Sequence, residues 1–186
     1  SDRIFCQPRP GMLQLVQLLA YATAMPLQVG ITCTTSHHAT SLNPGFREEC
    51  DHIRFMIRII NNKTDGFLDD VLPGVEIVVH EEEGDCGADD ATILSAYANI
   101  RTALPNLIAV LGGKCSGALA AMTDASHRES VGGPPHLFIS GSSTAPSIGN
   151  NTAYPNVIRT VASEISVAEV FADLAEHYQW RRIGVV

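Results

Sequence analysis

The sequence is poor in basic residues. It has 12 Lys and Arg against 20 Asp and Glu among 186 residues, a formal net charge of −8, and its pI is about 5.2. Nucleic acids and anionic membranes repel a surface of this charge. The composition therefore argues against both as main partners and indicates a small molecule or another protein. With 45% hydrophobic and 17% charged residues, the chain is otherwise typical of one globular domain.

Long hydrophobic runs are also scarce. The one run that bears on a membrane, residues 12–24, is too short to cross about 30 Å of hydrocarbon as a helix. It ends in Ala22-Thr23-Ala24 and follows two arginines, which is typical of a secretory signal peptide. We predict such a peptide at residues 1–24; the alternative is an ordinary buried helix. Two N-x-T tripeptides agree with secretion and predict glycosylation at Asn62 and Asn150.

Motifs of enzymes and metal sites are absent. The five cysteines include no C-x-x-C pair, so disulfides are favoured over a zinc or thioredoxin-type site. There is no G-x-S-x-G elbow, and a phosphate loop is excluded because Ile108 replaces its first glycine and Cys115 its magnesium-binding hydroxyl. The acidic run at 81–85 is interpreted as a solvated loop, and His37 and His38 as exposed side chains. We predict no catalysis, no cofactor and no metal.

Short β-branched runs alternate with amphipathic helical stretches from Leu27 onward. This alternation is the signature of βαβ units, so we predict an α/β fold with a doubly wound parallel sheet. The predicted strands are residues 27–33, 75–80, 107–111 and 136–140, with a further strand beginning at 181–186. The predicted helices are residues 46–61, 88–104, 117–125 and 165–178.

Two polar segments follow neighbouring predicted strands. Residues 112–116 form a glycine-rich turn after the third strand, and residues 141–153 form a long polar loop after the fourth. Ligands of parallel sheets bind outside the carboxyl ends of strands, where backbone N–H groups at a helix N-terminus can face an anion. These segments predict a carboxylate site, although Ser116 alone could be an ordinary helix N-cap. The predicted ligand-binding residues are Gly113, Ser116, Ser142, Ser143 and Thr144.

Residues 154–186 resemble the segment that joins the two lobes in class C G-protein-coupled receptors, above all the type B gamma-aminobutyric-acid receptors. The characteristic pieces are Tyr154-Pro155, Arg159-Thr160 and His177-Tyr178-Gln179-Trp180. Upstream, residues 139–146 and 113–116 resemble the two ligand-contact turns of that family. The resemblance covers residues 27–186 and departs from the family at Lys114, Gly117 and Gly141, which leaves the identity of the ligand open.

The resemblance implies a bilobed Venus-flytrap fold related to type I periplasmic binding proteins. Residues 25–180 would form lobe one, and residues 181–186 would begin lobe two. Ser116 falls where agonist-binding members hold the ligand carboxylate, Thr144 supplies a second hydroxyl, and Ser142 and Ser143 are weaker matches. The resemblance also implies a Cys86–Cys115 disulfide, with a stabilisation of roughly 3 kcal/mol in the chain-entropy model. The disulfide partner of Cys50 is left open between Cys33 and Cys6.

The resemblance also implies a function. We expect the extracellular ligand-binding region of a plasma-membrane receptor that senses an amino acid or a gamma-aminobutyrate-like molecule through lobe closure, and that dimerises through lobe one. One alternative is a partner subunit that dimerises without binding ligand. Another is a soluble periplasmic-type amino-acid-binding protein, which a membrane span downstream would exclude.

Overall fold

The computed structural model describes residues 25–34, 45–129 and 135–184. Within these ranges the chain forms five strands and four α-helices, together with a 3₁₀-helix at Pro146–Gly149. The strands are β1 (Leu27–Cys33), β2 (Ile77–Glu83), β3 (Leu107–Leu111), β4 (Leu137–Ser140) and β5 (Val157–Arg159). The helices are α1 (Gly45–Asn61), α2 (Asp90–Ala103), α3 (Ser116–Glu129) and α4 (Glu164–His177).

The five strands form one parallel sheet in the order β2-β1-β3-β4-β5. The predicted α/β fold with a parallel sheet is therefore confirmed. The strand order reverses direction at β1, and in doubly wound sheets ligands bind outside the carboxyl ends of the strands near such a switch point. Residues 112–115 and the loop after β4 both lie at that edge, because each follows its strand directly.

Each face of the sheet carries a cluster of buried apolar residues. The larger cluster joins α2 and α3 to the sheet, and its fully buried members are Tyr97, Ile100, Val110, Leu119, Met122 and Phe138. The smaller cluster joins α1 to the opposite face through Ile31, Cys33, Cys50 and Ile57. Successive residues of a strand point to opposite faces, so helices on both sides cover the central strands.

Strand β2 differs from its prediction. It runs to Glu83 and includes Glu81 and Glu82, which were interpreted as part of a solvated loop. These residues continue the parallel ladder opposite residues 31–33 of β1. The guanidinium of Arg54 donates to both carboxylate oxygens of Glu81, and this pairing offsets the charge at the sheet edge. The loop prediction for residues 81–83 is wrong because a tertiary partner compensates the poor strand propensity.

Other boundaries agree with the sequence to different degrees. Strands β1 and β3 have their predicted limits, and α1, α2 and α4 lie within two residues of theirs. Helix α3 extends to Glu129, and β5 was missed because three residues carry almost no periodic signal. Residues 181–184 have no regular structure. Residues 1–24, His37, His38 and residues 185–186 lie outside the described part of the chain.

Helix α4 differs from the other helices because none of its residues is buried. Its large apolar side chains are exposed, among them Ile165, Val170 and Phe171, which retain 53%, 56% and 60% of their accessible surface. Within the described ranges, no helix is both long enough and apolar enough to span a membrane.

Candidate ligand-binding site

The glycine turn, residues 112–115, connects β3 to α3 at the carboxyl edge of the sheet. Gly112 and Gly113 have φ angles of 138° and 62°, a conformation that other residues adopt only with strain. A Cβ atom on Gly112 would lie 2.1 Å from the hydroxyl oxygen of Thr32. The turn therefore needs glycine both for its backbone conformation and for its close approach to β1.

The N–H groups of the glycine turn donate hydrogen bonds to the buried side chains of Thr32 and Asp85. The N–H of Gly113 donates to Thr32 Oγ1 at 3.1 Å. The N–H groups of Lys114 and Cys115 donate to the two carboxylate oxygens of Asp85 at 3.0 and 3.3 Å. The hydroxyl of Thr32 also donates to Asp85, at 3.2 Å. Three consecutive N–H groups thus point into the protein rather than toward solvent.

Asp85 is fully buried. Burial raises the pKa of its carboxyl above the ordinary value, while the hydrogen bonds from Lys114, Cys115 and Thr32 and the charge of Lys114 act in the opposite direction. The sequence pattern placed Asp85 in a solvated acidic loop, and this interpretation is wrong. Its importance was not visible in the sequence because its donors lie 29 and 30 residues further along the chain.

Serine hydroxyls bind the carbonyl groups of the same turn. Ser140 Oγ donates to Gly113 O at 2.9 Å, and Ser143 Oγ donates to the same oxygen. Ser142 Oγ donates to Lys114 O at 3.4 Å. Gly113 and Ser143 are buried, and these hydrogen bonds hold the glycine turn and the loop after β4 together. The assignment of Gly113, Ser142 and Ser143 as ligand contacts stays a prediction.

Ser116 is the first residue of α3 and is partly exposed. Its Oγ accepts the N–H of Ala145 at 3.1 Å, so its O–H is the group that can be donated to a ligand. The space beside the helix N-terminus is open, because a Cβ atom on Gly117 would meet no atom within 4 Å. The free N–H groups of a first helical turn carry partial positive charge and attract anions.

Thr144 immediately precedes Ala145, whose N–H donates to Ser116 Oγ. Its hydroxyl donates to Glu164 Oε1 at 2.6 Å, and its carbonyl accepts the N–H of Glu164 at 3.0 Å. Glu164 is the first residue of α4, after the N-cap Ser163. The sequence shows an acidic residue after a helix cap, but it does not show that this carboxylate reaches the predicted site. The structure thus places the carboxylate of Glu164 against Thr144, one of the predicted site residues.

Lys114 is the unusual cation of the glycine turn. Its side chain is 1% exposed, and its Nζ lies 3.4 Å from Glu49 Oε2. A Cβ atom on Gly141 would lie 3.5 Å from the other oxygen of Glu49. Two departures from the receptor pattern, Lys114 and Gly141, therefore lie next to one carboxylate, that of Glu49.

Two disulfides stabilise this edge of the sheet. Cys86 and Cys115 are joined across 29 residues, as the receptor resemblance implied. Cys33 and Cys50 are joined across 17 residues, which resolves the partner of Cys50. The first disulfide connects the loop before α2 to the glycine turn, and the second connects the end of β1 to α1.

A small cavity of about 110 Å³ lies at the same edge, on the β2 side. Its lining includes Thr34, Arg54 and the Cys33–Cys50 disulfide but neither Ser116 nor Thr144. This cavity therefore does not include the residues around Ser116. Within the described ranges, no three His, Cys, Asp or Glu side chains converge to hold a metal ion.

Comparison with known proteins agrees with this arrangement. Residues 62–186 match the family described as "Receptor family ligand binding region", which is not a family of enzymes. The gamma-aminobutyric acid type B receptor subunit 2 of Homo sapiens is 28% identical over 130 residues, which cover 62% of this chain and 13% of that protein. The same subunit of Rattus norvegicus and Mus musculus is 27% identical, again over 13% of its length. Because the family match extends over more than half of the sequence, this chain belongs to the family of receptor ligand-binding regions.

Proposed function

We propose that this chain is part of the extracellular ligand-binding region of a membrane receptor and binds an amino acid or a gamma-aminobutyrate-like molecule. The observation that carries the proposal is the open N-terminus of α3 at Ser116, next to the Thr144–Glu164 pair. The two disulfides support an oxidising, extracellular compartment. The predicted glycans on the exposed Asn62 and Asn150 belong to the same proposal.

The ligand carboxylate binds at the start of α3. Ser116 donates its hydroxyl, and the first N–H groups of the helix add their partial positive charge. Thr144 and Ser142 provide further hydroxyls at the same edge. Ser142 donates only a long hydrogen bond of 3.4 Å to the glycine turn, so exchanging that bond for one to a ligand costs little.

Glu164 binds the ammonium group of the ligand. Its carboxylate already lies at the site, where it accepts the hydroxyl of Thr144. A positive helix terminus and a negative side chain on adjoining segments match a zwitterion, because each charge of the ligand then meets an opposite charge. A ligand with only a carboxylate would leave Glu164 as an unfavourable neighbour, so the pair favours amino acids over simple acids.

Helix α4 belongs to the second lobe. Its apolar side chains are exposed over its whole length, whereas α1, α2 and α3 bury apolar residues against the sheet. We therefore place the lobe boundary before Ser163 rather than at residue 180. The Thr144–Glu164 contact then crosses between the lobes. Closure follows ligand binding only if the ligand binds the closed form more tightly than the open form.

A second function is favoured by one observation. The hydroxyls of Thr144 and Ser143 already have protein partners, as expected for a subunit that dimerises through lobe one without binding ligand. The matched relatives are named as subunits of a receptor, which is consistent with assembly. This alternative predicts association that does not depend on any amino acid.

Calorimetric titration of the two-lobed ectodomain with a panel of amino acids, including gamma-aminobutyrate, tests the proposal. We expect saturable binding by the wild type and a loss of about 10- to 100-fold in affinity for Ser116→Ala and Glu164→Gln, since each removes a hydrogen bond to a charged group. Ser147→Ala, an exposed serine of the same loop, is the matched control and should bind normally. Absence of binding by a folded ectodomain would favour the dimerisation subunit.

A further inference from the structure

Asp85 lies in the short connection between β2 and α2, next to Cys86 of the disulfide. This connection is tightly packed, since a Cβ atom on Gly84 would lie 2.5 Å from the Cβ of Ala96. The carboxylate is completely buried. A buried charge is costly unless hydrogen bonds and opposite charges compensate it. The groups that hydrogen-bond to Asp85 therefore indicate its role.

The hydrogen-bond donors to Asp85 lie at the carboxyl edge of the sheet, where the ligand site is proposed. Two are the last N–H groups before α3, from Lys114 and Cys115, and the third is the hydroxyl of Thr32. Thr32 in turn accepts the N–H of Gly113. The carboxylate of Asp85 and the hydroxyl of Thr32 therefore accept the hydrogen bonds of three successive N–H groups of the glycine turn. Two charge-assisted hydrogen bonds to adjacent N–H groups fix the orientation of both peptide planes.

The neighbouring disulfide does not supply this orientation. It brings Cys86 and Cys115 within 5.1 Å between Cα atoms, which sets a separation. The direction in which the N–H groups of the glycine turn point is set by the hydrogen bonds to Asp85. Ser116 follows Cys115 directly, and its Oγ accepts the N–H of Ala145.

We propose that Asp85, together with Thr32, is a positioning residue for the ligand site. It orients the glycine turn, starts α3 at Ser116 and keeps the Ser116 hydroxyl in contact with the loop after β4. Asp85 itself does not touch the ligand. The effect on affinity rests on the proposed ligand-binding function, whereas the effect on the Ser116–Ala145 contact does not depend on it.

The test uses the two-lobed ectodomain and four variants. Asp85→Asn keeps the shape but replaces one acceptor oxygen by an N–H₂ group that faces an N–H donor. Asp89→Asn is the matched control, because Asp89 caps α2 through Thr92 N–H and asparagine caps equally well. Thr32→Val removes the hydroxyl, and Thr32→Ser restores it.

Residue-resolved amide hydrogen exchange and ligand titration are the two measurements. We expect Asp85→Asn and Thr32→Val to raise the exchange rates of the Lys114, Cys115 and Ala145 amides by about tenfold or more, and to weaken binding of the amino acid that the wild type binds by a similar factor. Thr32→Ser and Asp89→Asn should match the wild type in both measurements.

Faster exchange at Lys114 and Cys115 with normal exchange at Ala145 and normal affinity would overturn the proposal, because Asp85 would then only stabilise its own loop. If the wild type binds no amino acid, the proposed function fails, and the exchange at Ala145 alone decides the positioning role. If Asp85→Asn does not fold, the Thr32→Val and Thr32→Ser pair decides it. Equal behaviour of those two variants would overturn the proposal.

Discussion

Helices α3 and α4 have the same length of 14 residues but opposite environments. Six residues of α3 are buried, and three of them, Leu119, Met122 and Thr123, are completely inaccessible. No residue of α4 is buried, although it carries larger apolar side chains such as Ile165 and Phe171. The apolar content of a helix therefore does not decide its burial in this chain.

The difference follows from where each helix begins. Helix α3 follows the central strand β3, so it returns along the covered face of the sheet and packs with α2 and Phe138. Helix α4 follows the edge strand β5, and within the described ranges no surface buries it. Exposed apolar surface of this extent marks a binding surface in soluble proteins, which agrees with the proposed second lobe.

The largest expected effect is the difference in stability cost between a leucine-to-alanine substitution in α3 and one in α4. Leu119→Ala should lower the free energy of unfolding of this chain by about 2–5 kcal/mol, because it opens a cavity in the core. Leu174→Ala, at a residue that is 38% exposed, should cost less than about 1 kcal/mol in the same urea denaturation experiment. In the two-lobed ectodomain, the cost of Leu174→Ala should rise toward that of Leu119→Ala. Equal costs in this chain alone would contradict the comparison.

The next largest effect is that of the Cys86–Cys115 disulfide, which we expect to stabilise the first turn of α3 but not that of α4. Cys86 and Cys115 are 29 positions apart, and Cys115 lies immediately before α3, so replacing both by serine should cost roughly 3–4 kcal/mol in the chain-entropy model. Amide exchange should increase in the first turn of α3 and stay unchanged in the first turn of α4, which is capped by Ser163. The same increase in both helices would show that the disulfide does not act locally on α3.

The smallest effect is a pH dependence at the start of α3. Burial raises the folded-state pKa of Asp85 above the ordinary value of 3.8, so its contribution to stability is complete below pH 3.8 and declines as the pH rises through the folded pKa. The free energy of unfolding of the wild type, minus that of Asp85→Asn, should therefore fall with rising pH, by at most about 1.4 kcal/mol per pH unit. A difference that stays constant or rises with pH would contradict this assignment.

Asp89 provides the control for that measurement. Its pKa is lowered because its side chain accepts hydrogen bonds from Thr92. A lowered pKa contributes stability above the ordinary value and loses it as the pH falls. The difference between wild type and Asp89→Asn should therefore change with the opposite sign, and Ser163 at the start of α4 does not titrate in this range.

Much of the fold could be predicted because its signals are local. Strand β3 is an uninterrupted apolar run, and β1 is rich in apolar and β-branched residues. Helices α2 and α4 begin after Asp89 and Ser163, whose side chains cap them. The second strand was placed too early because Glu81 to Glu83 are poor strand residues, and only the pairing with β1 and with Arg54 retains them. Strand β5 was missed because three residues are too few to show alternation.

The site was predicted in part. The glycine turn and the polar loop were recognised as neighbours because both follow parallel strands, and Ser116 and Thr144 stay predictions as ligand contacts. The internal use of Gly113 and Ser143 was not predictable, since a serine-rich loop gives the same pattern whether its hydroxyls face a ligand or the protein. Glu164 was missed because Thr144 lies 20 residues before it.

The sequence by itself determined most of the elements of this protein, their parallel arrangement and the edge at which the polar loops meet, because hydrophobic periodicity and turn residues act over a few positions. Only the tertiary structure decided which polar groups are already bound, that Asp85 is buried beneath the glycine turn, and that no residue of α4 is buried in the described chain. The physical reason is that burial and hydrogen bonding depend on distances between residues far apart in sequence, such as Asp85 and Lys114, which are 29 positions apart.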